Sequence, residues 1–451
     1  MPARTGVITG KKVKITSIWL PLLAFSALLP CVGTAAEGTA APPTYAKDVA
    51  PIFQEKCQNC HRQGAMAPMS LATYEEVRPW AKSIRQRVAT RQMPPWHLDP
   101  TVGVQKFAND ISLSPAQIAT ITRWVDAGAP QGNPGDMPPA RQWPQDEGWQ
   151  LSKQFGEPDL ILKSDTFNVP AKGQDQWLKP LTATNLTEPR WVRAVEIHPV
   201  TAAGRRVTHH AIAYLQQQEP ENPGSLSQGI LMEWAVNKSY DVYRANSGKL
   251  MLPGSRIWWE LHLHSVGEPI ADHVELAVYF YPRGQEPKYR TTLTAFQGVE
   301  GAFGQSSLDI PPNSLAQTEG FTVLKQAARI ENFQPHMHLR GKSMSMEAIL
   351  PDGSRRMIGS VDHFNFNWMT NYIFADDSAP VLPKGTVIHV SAWFDNTVNN
   401  ASNPDPNQWV GWGDRTVDEM AHAWVNLTYL SDEDYAAWAA TNKPATTRAA
   451  R

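Results

Sequence analysis

Val274-Glu-Leu-Ala-Val-Tyr-Phe280 and Thr386-Val-Ile-His-Val-Ser-Ala-Trp393 are short runs rich in β-branched and aromatic residues, set off by Pro, Gly and Asn turns. Residues of this kind fit a pleated, half-buried surface, and period-two alternation turns one face toward a core. Runs of the same texture continue from about residue 156 to about 430 with hardly any long helical period, so the region reads as all-β sandwiches. Such a span is long for one sandwich. Gly-, Ser- and Pro-containing segments interrupt the pattern near Gly304, so the expected division is 156–304 and 305–430, with 431–451 a short tail of partly helical texture.

Upstream the period changes. Between Tyr45 and Pro130, Val49, Ile52 and Phe53 form one apolar stripe, and Trp80, Ile84 and Val88 form another at helical spacing. Ser114-Pro115 followed by Gln117 predicts a capping box with proline in the first turn; Ile118, Ile121 and Val125 make its buried face, and Gly128 ends the helix. The stretch 131–155, with Pro134, Pro138, Pro139 and Pro144, shows no sustained period and reads as a linker. The expected fold is multidomain: a small all-α domain (45–130) followed by two all-β, jelly-roll-like sandwich domains.

The 451 residues exceed what one hydrophobic core organises, and Lys+Arg 41 against Asp+Glu 43 lacks the basic excess that nucleic-acid binding requires. Nucleic acid is therefore excluded as a partner. At the N-terminus Arg4, Lys11, Lys12 and Lys14 precede an apolar run from Ile18 to Leu29 and the small residues Gly33 to Ala36. This reads as a signal peptide, residues 1–36, and places the mature chain in the periplasm or outside the cell. The apolar run is short for a membrane span, so no stable span is expected in the mature chain; an uncleaved anchor is the competing reading. Cys31 falls in the discarded segment, which leaves Cys57 and Cys60 and no disulfide framework.

Cys57-Gln-Asn-Cys60-His61 is a complete attachment signature for haem c: two thiols add to the vinyl groups and the adjacent histidine supplies the proximal iron ligand. A zinc site would need two further ligands nearby, and there is no second cysteine pair. Met66, Met69 and Met93 lie downstream as distal candidates, and a thioether there raises the potential, which suits electron transfer. Met93, in Gln92-Met-Pro-Pro-Trp96, is the chosen candidate because two prolines would hold a stiff extended segment across the haem face. His97, or no protein ligand at all, is the alternative. The stretch from Tyr45 to Pro130 resembles small class I cytochromes c with their methionine-bearing loop.

Thirteen histidines are present, and six form close pairs: His209-His210, His262-Leu-His264 and His336-Met-His338. On a strand, positions i and i+2 share a face, so each His-x-His can aim two imidazoles at one point. His209 and His210 would face opposite sides of a regular strand, so both reach one metal only where the chain bulges or ends. Three such pairs in one all-β region point to metal. Imidazole alone allows Zn, Cu, Fe or Ni, and a thioether partner favours copper; Met420, in a polar stretch, is the candidate.

Taken together, Thr208-His-His210, Glu260-Leu-His262, Pro335-His-Met-His-Leu-Arg-Gly341, and Phe394-Asp-Asn-Thr397 leading through Asn403-Pro-Asp-Pro406 and Trp412-Gly413 to Asp418-Glu-Met420 carry a resemblance. In order and type they resemble the type II copper, ascorbate-dependent monooxygenases, the family of peptidylglycine alpha-hydroxylating and dopamine beta-monooxygenases. The resemblance spans most of the chain after the linker. It implies one sandwich domain per copper, with His209, His210 and His262 holding the electron-passing ion. His336, His338 and Met420 then hold the second, where dioxygen is activated and a substrate hydrogen abstracted. His264 has no counterpart in that pattern; a hydrogen bond to a ligand and a packed strand position are its two readings. The disulfides of the family's animal members have no cysteines here, and the peptide or catechol grips cannot be placed, so neither substrate carries over.

The function expected is an exported haem- and copper-dependent monooxygenase acting with dioxygen on a C–H bond of an organic, small-molecule or peptide-like substrate. Electrons would pass from a reductant, with ascorbate one candidate, to the haem, then to the His209/His210/His262 copper, then to the Met420 copper. A non-catalytic haem–copper electron carrier and a haem–copper reductase of a small oxyanion are the competing readings. Arg78, Lys82, Arg85, Arg87 and Arg91 read either as a docking face for a redox partner protein or as a solvated helix surface. His198, His273, His363, His389 and His422 have no paired neighbour and read as structural.

Overall fold

The computed structural model describes residues 41–63, 65, 67–141, 148–218, 226–235, 238–299, 301–302, 305–306 and 308–442. The expected signal segment, Met66 and the end of the tail lie outside the described residues. Strand accounts for 38% and helix for 17% of the chain, so the protein is mainly β, with several sheets.

The helical part precedes the sheets. Helices Ala50–Lys56, Ala81–Ala89 and Pro115–Asp126 close over a core of Tyr45, Phe53, Val77, Ile84, Ile121 and Trp124. The capping box forms: Ser114 Oγ accepts from Gln117 N, and the Gln117 amide oxygen accepts from Ser114 N. Trp80 departs from the expected stripe and is 46% exposed, because the chain turns through a short 3₁₀ segment there; Ala81, Ile84 and Val88 carry the buried face. Arg85 pairs with Asp126 on the outer surface, so at least this member of the basic run is engaged within the chain.

Two apolar cores follow, each between sheet layers. The first takes Val192, Val195 and Ile197 from one layer and Ala211, Ala213, Ile257 and Trp259 from the facing one. The second takes Phe333, Ala423, Val425 and Leu427 from one layer and Met344, Met346, Ile388, Val390 and Phe394 from a four-stranded sheet opposite. Fully buried side chains such as Trp259 and Phe333 each stabilise the fold by about 1.5–3 kcal/mol or more, and the cores rest on such packing. Val274–Phe280 and Val387–Asp395 are strands, as their texture implies. The strand Tyr289–Gln297 lies before the expected boundary near Gly304, yet it pairs along its length with His422–Leu430 and sends Phe296 into the second core. One sheet therefore runs from the His262 strand to the His336 strand.

A loop of the helical part is built into the second core. Residues 94–110 lie along it: Asp99 N donates to Ser360 O (2.8 Å), Val104 N to Ile358 O (3.0 Å) and Ala108 N to Ile373 O (2.8 Å). Leu98 and Phe107 add isolated bridges to Val361 and Phe374, and Trp96 meets Tyr372 edge to face at 4.7 Å. Gly103 makes this approach possible: at φ +75, any Cβ would stand 2.5 Å from the Ile358 carbonyl oxygen. Among the described residues no helix is long and apolar enough to cross a membrane.

Candidate functional site

The first histidine cluster is made by a slipped register. His210 on strand Thr208–Gln218 stands opposite His262 on strand Arg256–Leu263; one step on, Leu263 pairs with Thr208, and His209 is the extra residue of a bulge. The bulge lets two adjacent histidines serve one point, the condition that an unbroken strand would fail. Ligand-capable atoms of His209, His210 and His262 lie within 4.8 Å of one another. The Nδ1 atoms of His209 and His210 are 3.3 Å apart. Two nitrogens bound at about 2.0 Å to one tetrahedral ion are separated by about 3.3 Å, so the donor set fits a metal.

The third imidazole is oriented from behind. His262 Nε2–H donates to Asp175 Oδ2 at 2.8 Å, and Trp177 stacks on the ring at 4.3 Å, which leaves Nδ1 as the free lone pair. Burial and the neighbouring imidazoles lower all three pKa values, His209 to about 3, so the rings are neutral at pH 7, the form that binds metal. His264 stays beside the cluster, its ring 6.5 Å from that of His209, outside the three-nitrogen group. A carboxylate behind a ligating histidine commonly changes metal affinity by about 10–100-fold. Asp175→Ala is therefore expected to weaken metal binding at this cluster by a factor in that range, read by competition titration against a chelator.

The second cluster lies where strand Asn332–His336 pairs with His422–Leu430, His336 directly opposite His422. Met420, half-buried, stands two residues before His422 and directly after the buried Glu419. The turn is held tightly: His338 N donates to Glu419 Oε2 (2.8 Å), and His338 Nδ1–H donates to the Asp418 carbonyl (3.0 Å), leaving Nε2 free. Glu419 is fully buried, and burial pushes its carboxyl up to about 8 against the pull of the Arg340 and His338 N–H groups. Arg340, also buried, is fixed by Asn396 Oδ1 (2.9 Å) and the Val417 carbonyl (2.9 Å). This gives the Phe394-Asp-Asn-Thr397 motif its work: Asn396 holds the arginine that follows His338. Burial lowers His338 to about 4 and His336 well below its usual value, so both are neutral at pH 7.

His422 is more than a packed strand histidine. Its ring stacks on His336 at 4.7 Å, and both of its nitrogens, with His336 Nδ1 and Trp424 Nε1, are buried without a hydrogen-bond partner. Such orphaned polar atoms are costly unless something polar meets them. The signal in the sequence was the i+2 spacing from Met420. Asp175 and Phe366 also escaped the reading, because neither has a motif. By contrast His198 meets Trp149 edge-on, His273 meets Glu275, and His389 meets Glu319, contacts that suit structural histidines.

The two clusters face each other. The Phe366 ring stacks on His209 (4.7 Å, 15°) and meets His338 edge-on (5.9 Å, 87°). Thr416 Oγ1 donates to the same Asp175 oxygen that holds His262 (3.3 Å), and Gln334 Nε2 donates to Glu233 (2.6 Å) across the two regions.

At the cysteine motif, Cys57 follows helix Ala50–Lys56, and Cys60 N and His61 N both donate to the Cys57 carbonyl. The thiols are not joined in a disulfide. His61 Nδ1–H donates to the Met69 carbonyl (3.1 Å), leaving Nε2 free, the arrangement an axial imidazole needs, and Cys57 and Met69 pack on the helical core. Met93 lines an opening with Val88, Leu113 and Ile118. The extended segment expected around it is a bend instead: Trp96 N donates to the Pro94 carbonyl (2.8 Å), which folds the two prolines back. His97 belongs to the loop on the second core, its N donating to Tyr372 Oη (3.2 Å).

No family model and no curated protein matches the chain. Among solved structures it is similar to the VP2 subviral particle of infectious bursal disease virus (9% identity, 62% of this chain, 74% of that chain, TM-score 0.19). It is similar too to peptide-N(4)-(N-acetyl-β-D-glucosaminyl) asparagine amidase (10%, 59%, 96%, TM-score 0.24) and to an f-lectin from striped bass serum (10%, 59%, 86%, TM-score 0.16). At those scores none bears on fold or function.

Proposed function

We propose that the chain is a haem- and copper-dependent monooxygenase of the type II copper, ascorbate-dependent class, with a cytochrome c-type helical module ahead of two jelly-roll-like copper modules. The observation that carries this reading is the approach of two neutral imidazole clusters, His209/His210/His262 and His336/His338, to the two sides of the Phe366 ring. His209, His210 and His262 would hold one copper; His336, His338 and Met420 would hold the other; Cys57, Cys60 and His61 would hold haem c. Copper there supplies one-electron redox chemistry and dioxygen activation, and haem supplies a one-electron store.

The side chains do the rest. Asp175 and the Asp418 carbonyl fix which nitrogen of His262 and His338 is free; Glu419 and Arg340 lock the turn that carries His338; Phe366 and Trp177 pack the approaches with apolar surface. Metal analysis with an oxygen electrode tests the reading. Two coppers per haem, and oxygen uptake with a reductant that matches hydroxylated product one to one, are expected. Zinc in place of copper, or redox cycling of haem with no oxygen uptake beyond slow autoxidation, would favour an electron carrier instead.

A further inference from the structure

The opening that Met93 lines is walled by Val88, Leu113 and Ile118 of the helical part and by Trp96. Upstream, the methionine is tied to its own module: Gln92 N and Met93 N both donate to the Arg87 carbonyl near the end of helix Ala81–Ala89 (2.8 and 3.2 Å). Downstream, the ties lead elsewhere. Thr370 Oγ1 donates to the Pro95 carbonyl (3.2 Å), His97 N donates to Tyr372 Oη (3.2 Å), and Leu98 bridges to Val361. Thr370, Tyr372 and Val361 all belong to the second β region, so residues 95–98 are held from outside the helical part.

Trp96 is the side chain that joins the two sides. It lines the opening beside Met93, and its ring meets Tyr372 edge to face (4.7 Å, 83°) and Phe107 (5.4 Å, 77°). Tyr372 is fixed in its turn: fully buried on the short strand Tyr372–Ile373, it pairs with Phe333 of strand Asn332–His336 and stacks on that ring at 6.4 Å. Ring pairs of this kind contribute about 0.5–1.5 kcal/mol beyond their buried area and favour particular geometries. A ligand on a loop keeps its place only through the groups that hold the loop. We propose that Trp96 and Tyr372 are positioning residues for the haem's distal ligand: through them the second β region, rather than the helical part alone, holds Met93 at the iron. The proposal rests on the haem reading with Met93 as distal ligand, and adds that ligation there depends on the docking of a different module.

The test uses the full-length holoprotein, with covalent haem counted per chain. The readouts are the sulfur-to-iron charge-transfer band of the ferric haem and the midpoint potential, which thioether ligation raises. Wild type is expected to show the band and Met93→Ala to lose it. Trp96→Leu and Tyr372→Ala are expected to lose the band and lower the potential with haem still attached, while Trp96→Phe retains both. Should Tyr372→Ala, which empties a buried site, fail to fold, Trp96→Leu at a half-buried position decides alone. Ile257→Ala, which opens a cavity in the first core, is the control: it should lower the unfolding midpoint and leave band and potential unchanged. A band that persists in Trp96→Leu, or that is lost from folded Ile257→Ala as well, overturns the positioning role and leaves Met93 as ligand. A wild-type haem without the band, or a band unaffected by Met93→Ala, overturns the ligand assignment and the proposal with it.

Discussion

Replacing His336 and His338 together by alanine is expected to abolish oxygen-coupled product formation while one copper per chain remains bound. The two imidazoles enter from a single turn, held by Glu419 and the Asp418 carbonyl, so their loss removes donors without disturbing the bulge that builds the first cluster. Both are buried, and alanine leaves space beside His422 and Phe366, so a moderate loss of stability accompanies the change. A haem that still reduces and reoxidises in that variant would show the helical module intact. Residual product at the wild-type rate, or loss of both coppers, would mean that the oxygen chemistry belongs elsewhere. Met420→Ala is the finer version: the second copper should bind more weakly and turnover should fall, with the first copper still loaded.

Acid should unfold the metal-free protein far more readily than its near-neutral composition suggests. His209 and His422 are lowered to about 3 and His338 to about 4 by burial and by one another, with His210 and His336 shifted the same way. In the unfolded chain each returns to about 6.5. The native state therefore binds fewer protons between the two values, and the stability present above pH 6.5 is lost as pH falls toward 4 or 3. At pH 5.5 each of the three with a stated value costs about 1.4 kcal/mol, roughly 4 kcal/mol together, against a typical total of about 5–15 kcal/mol. Urea midpoints of the metal-free protein at pH 7.5, 6.5 and 5.5 check this. A midpoint that stays level would mean that the rings are protonated or solvated in the native state. Bound copper competes with these protons and should move the fall to lower pH.

Sequence reached the parts of this protein that local chemistry dictates. The capping box at Ser114, the strands at Val274 and Val387, and the pairing of histidines by strand spacing depend on near neighbours in the chain, and the need for a bulge at His209 followed from the two-residue period alone. What escaped is long-range. Asp175 meets His262 across 87 residues, and Phe366 joins two regions through a loop with no period to mark it. His422 looked solitary because its partner His336 comes from another strand. Trp80 followed helical spacing but sits on a 3₁₀ turn, where that spacing no longer predicts a face. The proline pair after Met93 bends because its carbonyl finds Trp96 N, a choice between bend and extension that residue type alone does not make.

The loop 94–110 comes from the middle of the helical module, between its helices, and it is sewn into the second core by backbone hydrogen bonds at residues 99, 104, 106 and 108. The module is thus moored by its own interior. It cannot swing like a bead on a tether. A protease nick between the helical part and the sheets would leave the pieces bound together, and a haem carried there, as proposed, would work at a fixed distance without a diffusive search.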